Sequence, residues 1–262
     1  MTDGIKDRLK QLGLKPSKKL GQHFLVDGEI AARQVEAAKI SSRDTVLEIG
    51  PGLGVLTEEI VKKAKRTVLI EKDPAFRGYL AGRFSSYDVE VIHGDALDVD
   101  YPLFDKVVSN LPFNISSPLT FKLLEQDFVS GVLMYQKEYA ERMVAGVGEP
   151  NYSRLSVMVS VKAEVANLFS VHRSRFFPPP KVDAAVVSMI PRKPSFEIKH
   201  HEVYEMVVRE LFNYRRKTIK NALKYGLGVD TSGLPFEKFR GENLSPQEIN
   251  RLVNALVDKD LL

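Results

Sequence analysis

The sequence predicts an α/β domain built on a mostly parallel sheet, followed by a small all-helical domain. Three observations carry this reading. Short apolar segments alternate with amphipathic ones between Thr45 and Tyr135, as in βαβ units whose strands are covered on both faces. The first of those segments runs straight into G-x-G-x-G, with glycine at Gly50, Gly52 and Gly54. From about Phe196 onward only helical periodicity is found.

In chain order, the first forty residues read as helical and basic, with Lys15, Lys18 and Lys19 ahead of GQHFLVD. Asp27 is placed to cap a helix over Gly28 to Lys39 that turns Ile30, Val35 and Ala38 inward. TVLEIG (Thr45 to Gly50) is a strand ending in glycine, VLTEEIVKKAK (Val55 to Lys65) an amphipathic helix, and TVLIEKD (Thr67 to Asp73) a second strand. VEVIHGDAL (Val89 to Leu97) and KVVSNLP (Lys106 to Pro112) are the third and fourth. A helix over Pro118 to Glu125 and a strand over Gly131 to Tyr135 follow. FFPPPK (Phe176 to Lys181) is a stiff turn, because each proline fixes its φ. AAVVSMIP beyond it is another strand. The boundary falls near Pro194, giving a domain over 1–194, basic N-terminal extension included, and a helical one over 195–262. In the latter, VYEMVVRELF and SPQEINRLVNALV are helices. The second is opened by a capping box of Ser245 and Glu248, with Pro246 at the first helical position.

Composition removes several function classes. A chain of 262 residues with 44% apolar and 27% charged residues is long enough to bury a core and reads as globular. It has no apolar run of the length a membrane span needs, and MTDGIKDRLKQLG lacks the apolar centre of a secretory signal. With no cysteine, disulfides, thiolate metal sites and cysteine nucleophiles are excluded. The five histidines show no zinc-ligand spacing. A cytoplasmic protein without metal or membrane is expected, with a monomer as the default. The net charge of +4 and pI near 9.0 point only weakly to a polyanionic partner; where the charge sits matters more.

A glycine turn between strand and helix lets a ligand approach the backbone, and the N–H groups at the helix start face it. The dinucleotide pattern is not met, because Val55 stands where its third glycine belongs, and no triphosphate-binding G-x-x-x-x-G-K-[ST] occurs. Glu71, 21 residues past Gly50 at the end of the second strand, can accept both ribose hydroxyls of a nucleoside and would repel a 2′-phosphate. Asp95, ending the third strand in GDAL, can accept from an adenine amino group. Together these fit a sulfonium nucleoside without phosphates.

SNLPFNISSP places Asn110, Leu111, Pro112 and Phe113 at the end of the fourth strand, beside that ligand. The arrangement suits adenine. Its exocyclic nitrogen is a poor nucleophile because the lone pair is delocalised into the ring. Hydrogen bonds from the amine to the Asn110 side-chain oxygen and the Leu111 carbonyl would favour a pyramidal nitrogen. Pro112 stiffens the turn and Phe113 offers a stacking face, worth about 1–3 kcal/mol. Such catalysis is orientation and pre-organised electrostatics, with no strong base and no metal.

With LEIGPGLGVLT, VLIEKD, GDAL, NLPFNISSP, QKEYAERM, NYSRLSVM and FFPPPKVD in one chain, the sequence resembles the ribosomal RNA adenine dimethyltransferase family, most of all its small-subunit branch. The match runs from KKLGQHFLVD at Lys18 to the helical tail. The resemblance implies a Rossmann-like methyltransferase domain that uses S-adenosylmethionine. It implies two methyls on each of two adjacent adenosines near the 3′ end of small-subunit rRNA, within a pre-ribosomal particle. His23, Leu25, Gly50, Glu71, Asp95 and Asn110 then match cofactor contacts, with Gly52 in the same loop. Asn110 to Phe113 match the catalytic loop. One aromatic of FFPPPKV matches the second face of a base sandwich, and Phe177 is chosen over Phe176. Three departures stand out: Ala184 where serine is usual, Phe113 in place of tyrosine, and His23 where asparagine is frequent.

Asn213 to Val229 carries five basic residues and no acidic one. Arg216, Lys220 and Lys224, spaced by four, share one helical face, flanked by Arg215 and Lys217. Arg173, Arg175, Lys181, Arg192 and Lys193 oppose only Asp183, and Lys15, Lys18 and Lys19 form a third cluster. Neutralisation of RNA phosphates is the expected use, above all for Arg215, Arg216, Lys217, Lys220 and Lys224. Three other functions stay open at this point: an enzyme of large-subunit rRNA, a nucleic-acid-binding assembly factor, and a small-molecule methyltransferase.

Overall fold

Seven strands join one sheet in this computed structural model, which describes residues 2–262. The strands are β1 (Phe24–Leu25), β2 (Thr45–Ile49), β3 (Arg66–Glu71), β4 (Val89–His93), β5 (Lys106–Asn110), β6 (Ser130–Gln136), β7 (Ala163–Val171), β8 (Phe176–Phe177) and β9 (Ala184–Pro191). The helices are α1 (Thr2–Gln11), α2 (Gly28–Ala37), α3 (Val55–Ile60), α4 (Pro74–Arg83), α5 (Ser116–Leu123), α6 (Lys137–Val144), α7 (Arg154–Ser160), α8 (His201–Asn213), α9 (Ile219–Leu227) and α10 (Pro246–Val257). The sheet runs β4-β3-β2-β5-β6-β9-β7, and β1 pairs with β8 as a separate antiparallel ribbon. β4, β3, β2, β5 and β6 are parallel, and β9 is antiparallel to β6.

The central strands are largely apolar because both of their faces are covered. Val46, Val108, Val132, Met134 and Val186 pack on one side with Ala31 and Val35 of α2 and Leu56 and Ile60 of α3. Leu69 packs on the other with Leu9, Phe24, Phe76, Leu80 and Phe84. Each fully buried leucine or valine contributes about 1.5–3 kcal/mol. Asp27 caps α2 as the sequence predicts, its carboxylate accepting from Glu29 N and Ile30 N.

The strand order reverses between β3-β2 and β5-β6, so the first and fourth predicted strands are neighbours. Their ladder pairs only Val46 and Leu47 with Lys106 and Val107. Farther on, the Ser109 hydroxyl fills the gap, donating to Ile49 O at 2.6 Å and accepting from Ile49 N at 3.3 Å. The strands therefore part at their carboxyl ends, and a ligand crevice forms at such a switch point.

Two units make up the chain: residues up to Ala140 with Val165–Pro191, and Glu141–Glu164 with Arg192–Leu262. The second thus takes in 141–164, ahead of the boundary expected near Pro194. Its core gathers Tyr204, Val207, Leu211, Ile219, Leu223, Ile249, Leu252 and Leu256. The Ser245 capping box with Glu248 and Pro246 opens α10. Thr218 caps α9, and Gly228 closes it at φ 73°.

Besides the two-residue strands β1 and β8, four elements escape the sequence reading. In α4 only Phe76 and Leu80 are buried, and Gly78 and Gly82 thin the apolar stripe. β7 buries only Ala163 and Val171, its two ends, and lies at the edge of the sheet. Charged α6 and seven-residue α7 are too short to declare a period.

Candidate functional site

At the carboxyl ends of β2 and β5 the first unit holds a solvent-open cleft. Its floor is the glycine loop. Gly50, Gly52 and Gly54 all take left-handed φ, at 69°, 53° and 74°, where side chains are strained. Space forbids a Cβ as well: at Gly52 it would come 2.9 Å from the Phe24 ring, and at Gly54 2.8 Å from Phe84. The loop is thus held open against two packed aromatics rather than being a generic tight turn.

Glu71, at the end of β3, fixes the loop from the far side. Its Oε2 accepts from Gly52 N at 3.1 Å and its Oε1 from Asp73 N at 2.8 Å. Burial raises its pKa above the usual carboxylate range, and those two N–H groups oppose the rise. Asp95 lies beyond β4, with Oδ1 accepting from Leu97 N and Oδ2 paired with Lys72. The Lys72 ammonium, first of all, holds the Asp95 carboxyl below its ordinary pKa. Gln22 ties the N-terminal wall to the same end of the sheet, donating to Asp73 Oδ2 at 2.8 Å.

On the β5 side stand Asn110, Leu111, Pro112 and Phe113, all lining the cleft. Asn110 Oδ1 is buried and has no hydrogen-bond partner. A buried acceptor in that state costs about 1–3 kcal/mol unless a donor arrives. Phe113 stacks on His23, with centroids 6.1 Å apart and planes at 28°, and His23 Nδ1 lies 2.7 Å from Pro178 O. Leu25 is buried in the same wall.

The cleft gathers every expected cofactor residue: His23, Leu25, Gly50, Gly52, Glu71, Asp95 and Asn110. Of the aromatic pair, Phe176 lines it and Phe177 does not. Neighbouring residues of a strand point to opposite faces. Phe176 meets Phe113 edge-on at 6.4 Å, whereas Phe177 packs with the Leu9–Phe24–Phe76 cluster under Lys6 Nζ. Phe177, the ring expected in the base sandwich, thus lies off the cleft, and its neighbour Phe176 lies on it. Glu48 also lines the cleft, with Thr57 Oγ1 donating to its Oε2 at 2.6 Å. Burial, first of all, pushes its carboxyl up to about 8. A carboxylate inside an otherwise apolar strand was the signal for it. No cluster of metal-ligating side chains occurs among the described residues, and none of their helices is long and apolar enough to cross a membrane.

The basic residues of the second unit separate into two kinds. Arg215 is committed inward: its Nε donates to Glu242 at 2.6 Å and its Nη2 to Pro150 O at 2.8 Å. Arg216, Lys217 and Lys224 are exposed and Lys220 half-exposed. In the first unit, Arg175 is likewise held by Asp27 at 2.8 Å and Arg173 by Lys181 O at 3.0 Å.

The model of the family described as ribosomal RNA adenine dimethylase matches residues 13–256. A Thermococcus gammatolerans protein named probable ribosomal RNA small subunit methyltransferase A is 45% identical, over 100% of this chain and 97% of its own. Among solved structures, a dimethyladenosine transferase from Plasmodium falciparum aligns with a TM-score of 0.80 at 34% identity, covering 91% of this chain and 98% of that one. The 23S rRNA methyltransferase ErmE aligns at 0.71 and 27%, covering 89% and 99%.

Proposed function

We infer the reaction from one premise: this chain belongs to the ribosomal RNA adenine dimethylase family. It is an S-adenosylmethionine-dependent rRNA adenine dimethyltransferase with a Rossmann-like catalytic fold. The finer reading is that it places two methyls on each of two adjacent adenosines near the 3′ end of small-subunit rRNA, in a pre-ribosomal particle. The name of its Thermococcus relative supports the small-subunit branch over the large.

One observation carries the site assignment: the unpartnered, buried Asn110 Oδ1 at the mouth of the crevice. That orphan, the glycine loop and the two carboxylates at neighbouring strand ends fit a nucleoside cofactor beside an amine substrate. Glu71 would hold the cofactor's ribose, Asp95 its adenine amino group, and Gly50, Gly52, His23 and Leu25 its remaining edges. S-adenosylmethionine, when bound, supplies an electrophilic methyl group. Asn110 and the Leu111 carbonyl accept from the target amine, turning its lone pair out of the ring. Phe113 and Phe176, which meet edge-on, would part to receive the target base, which must first leave its stack. Arg216, Lys217, Lys220 and Lys224 neutralise phosphates, and Arg215 positions the segments that carry them.

Labelled S-adenosylmethionine with unmethylated small and large ribosomal subunits, followed by nucleoside analysis, tests this. Dimethyladenosine in the small subunit alone is expected; label in the large subunit would move the chain to the other branch. Reversing charge with Arg216→Glu and Lys220→Glu should weaken RNA binding at least tenfold at moderate salt, each lost phosphate contact lowering the salt slope by about 0.7–0.9. Cofactor affinity should be unchanged. Equal RNA affinity across a salt titration would remove α9 from the RNA interface.

A further inference from the structure

Tyr225 lies on the basic helix α9 with 64% of its surface exposed, while Ile219, Ala222 and Leu223 of the same helix are buried in the core of the second unit. A single exposed apolar side chain is ordinary; the surroundings of this one are not. Lys217 Nζ stands 5.8 Å from its ring centroid. The Tyr214 ring lies 6.0 Å away with the planes inclined by 33°. Lys224 precedes it in sequence, and Arg216 is exposed on the approach to the helix. A second ring, Phe239, is 54% exposed and is tied to the first turn of α9, its carbonyl accepting from Ile219 N at 2.7 Å. Asp230, whose charge Lys220 and Lys224 feel, accepts at Oδ1 from both the Ser232 N–H and O–H.

Cations interleaved with an open aromatic face match a polyanion that itself carries flat faces. A paired duplex offers phosphates but no free base face; a single-stranded segment offers both, and aromatic side chains stack on such bases regardless of sequence. Tyrosine also has few torsions to immobilise on contact. We propose that Tyr225 is a stacking platform for one unpaired base of the substrate RNA, with Arg216, Lys217 and Lys224 holding the phosphates beside it. The proposal rests on the reading of this chain as an rRNA-modifying enzyme. It adds a second base contact, carried by the helical unit and distinct from the target-base cleft.

The sequence contains no tryptophan, so Tyr225→Trp installs a lone fluorescent reporter at the platform. The full-length variant is titrated with end-labelled single-stranded oligoadenylate and, separately, with a duplex of equal length, and binding is followed by anisotropy of the RNA. Indole emission should be quenched along the anisotropy curve of the single strand and stay unquenched with the duplex. Tyr225→Ala should bind the single strand about five- to hundredfold more weakly with an unchanged salt slope, and Tyr225→Phe should bind as the parent does. Lys224→Ala should instead lower the slope by about 0.7. Binding without quenching, or an alanine variant of equal affinity, would overturn the platform and leave the phosphate contacts standing. Failure of the parent chain to bind the single strand would overturn it too; methyl transfer to ribosomal subunits, measured without these oligonucleotides, still judges the enzymatic reading by itself.

Discussion

Asn110→Ala should lower kcat by a factor of about 10³ or more, with S-adenosylmethionine affinity within about tenfold of the parent. Asn110 Oδ1 is buried at the end of β5 without a partner, a state that about 1–3 kcal/mol of desolvation makes costly until an amine N–H reaches it. The bond strengthens as the amine nitrogen pyramidalises and gains positive charge, so its energy appears mainly in the transition state and falls on kcat rather than KM. Single pre-organised groups of this kind contribute about 10²–10³, and misorientation of the base adds to the loss. Asn110→Asp, which keeps an acceptor oxygen in place, should retain measurable turnover. Equilibrium binding of the cofactor and single-turnover methyl transfer on the same preparations separate the two effects. Turnover within tenfold of the parent in the alanine variant would place the amine's acceptor elsewhere.

Much of this site is legible in the sequence because its parts sit at strand ends. A strand that ends in G-x-G-x-G, a second ending in Glu71 and a fourth ending in Asn110 converge wherever a parallel sheet places its carboxyl edges together. What is not legible depends on packing across the sequence. The choice between Phe176 and Phe177 is set by β8 pairing with β1, a two-residue ribbon joining positions 24 and 177. No local pattern announces such a pairing. Arg215 looks like its basic neighbours in sequence, yet Glu242 and Pro150 O draw it inward. The return of 141–164 to the helical unit is hidden for a similar reason: those residues sit between segments that read as part of the sheet. Local periodicity therefore points to the cleft, and long-range pairing decides which of two similar side chains lines it.

Glu48→Gln should stabilise the ligand-free chain, increasingly so as pH rises. Folding buries this carboxyl completely and moves its ionisation from an ordinary 4.5 up to about 8. Burial is the main cause, the neighbouring Glu71 adds to it, and the Thr57 hydroxyl opposes it. Between those two pH values the folded chain keeps a proton that the unfolded chain has released, so Glu48 makes stability fall with rising pH across the window and level off above it. Glutamine has no proton to lose and still offers Thr57 an acceptor. The two chains should therefore have similar stability below pH 4.5. The gap should open through neutrality to a few kcal/mol near pH 9, growing by about 1.4 kcal/mol for each pH step of one inside the window. Urea denaturation of both chains across that range measures it directly, and the difference between them cancels the titrating groups they share, apart from Glu71, whose charge is coupled to that of Glu48. A gap that stays flat with pH would mean that the Glu48 charge is accommodated in the folded cleft. Glu48 lines the cleft assigned to a sulfonium cofactor, and a cation nearby favours the ionised form. Cofactor binding at neutral pH should thus release a proton from the parent and none from the glutamine variant, a difference that calorimetry in buffers of unlike ionisation heat resolves.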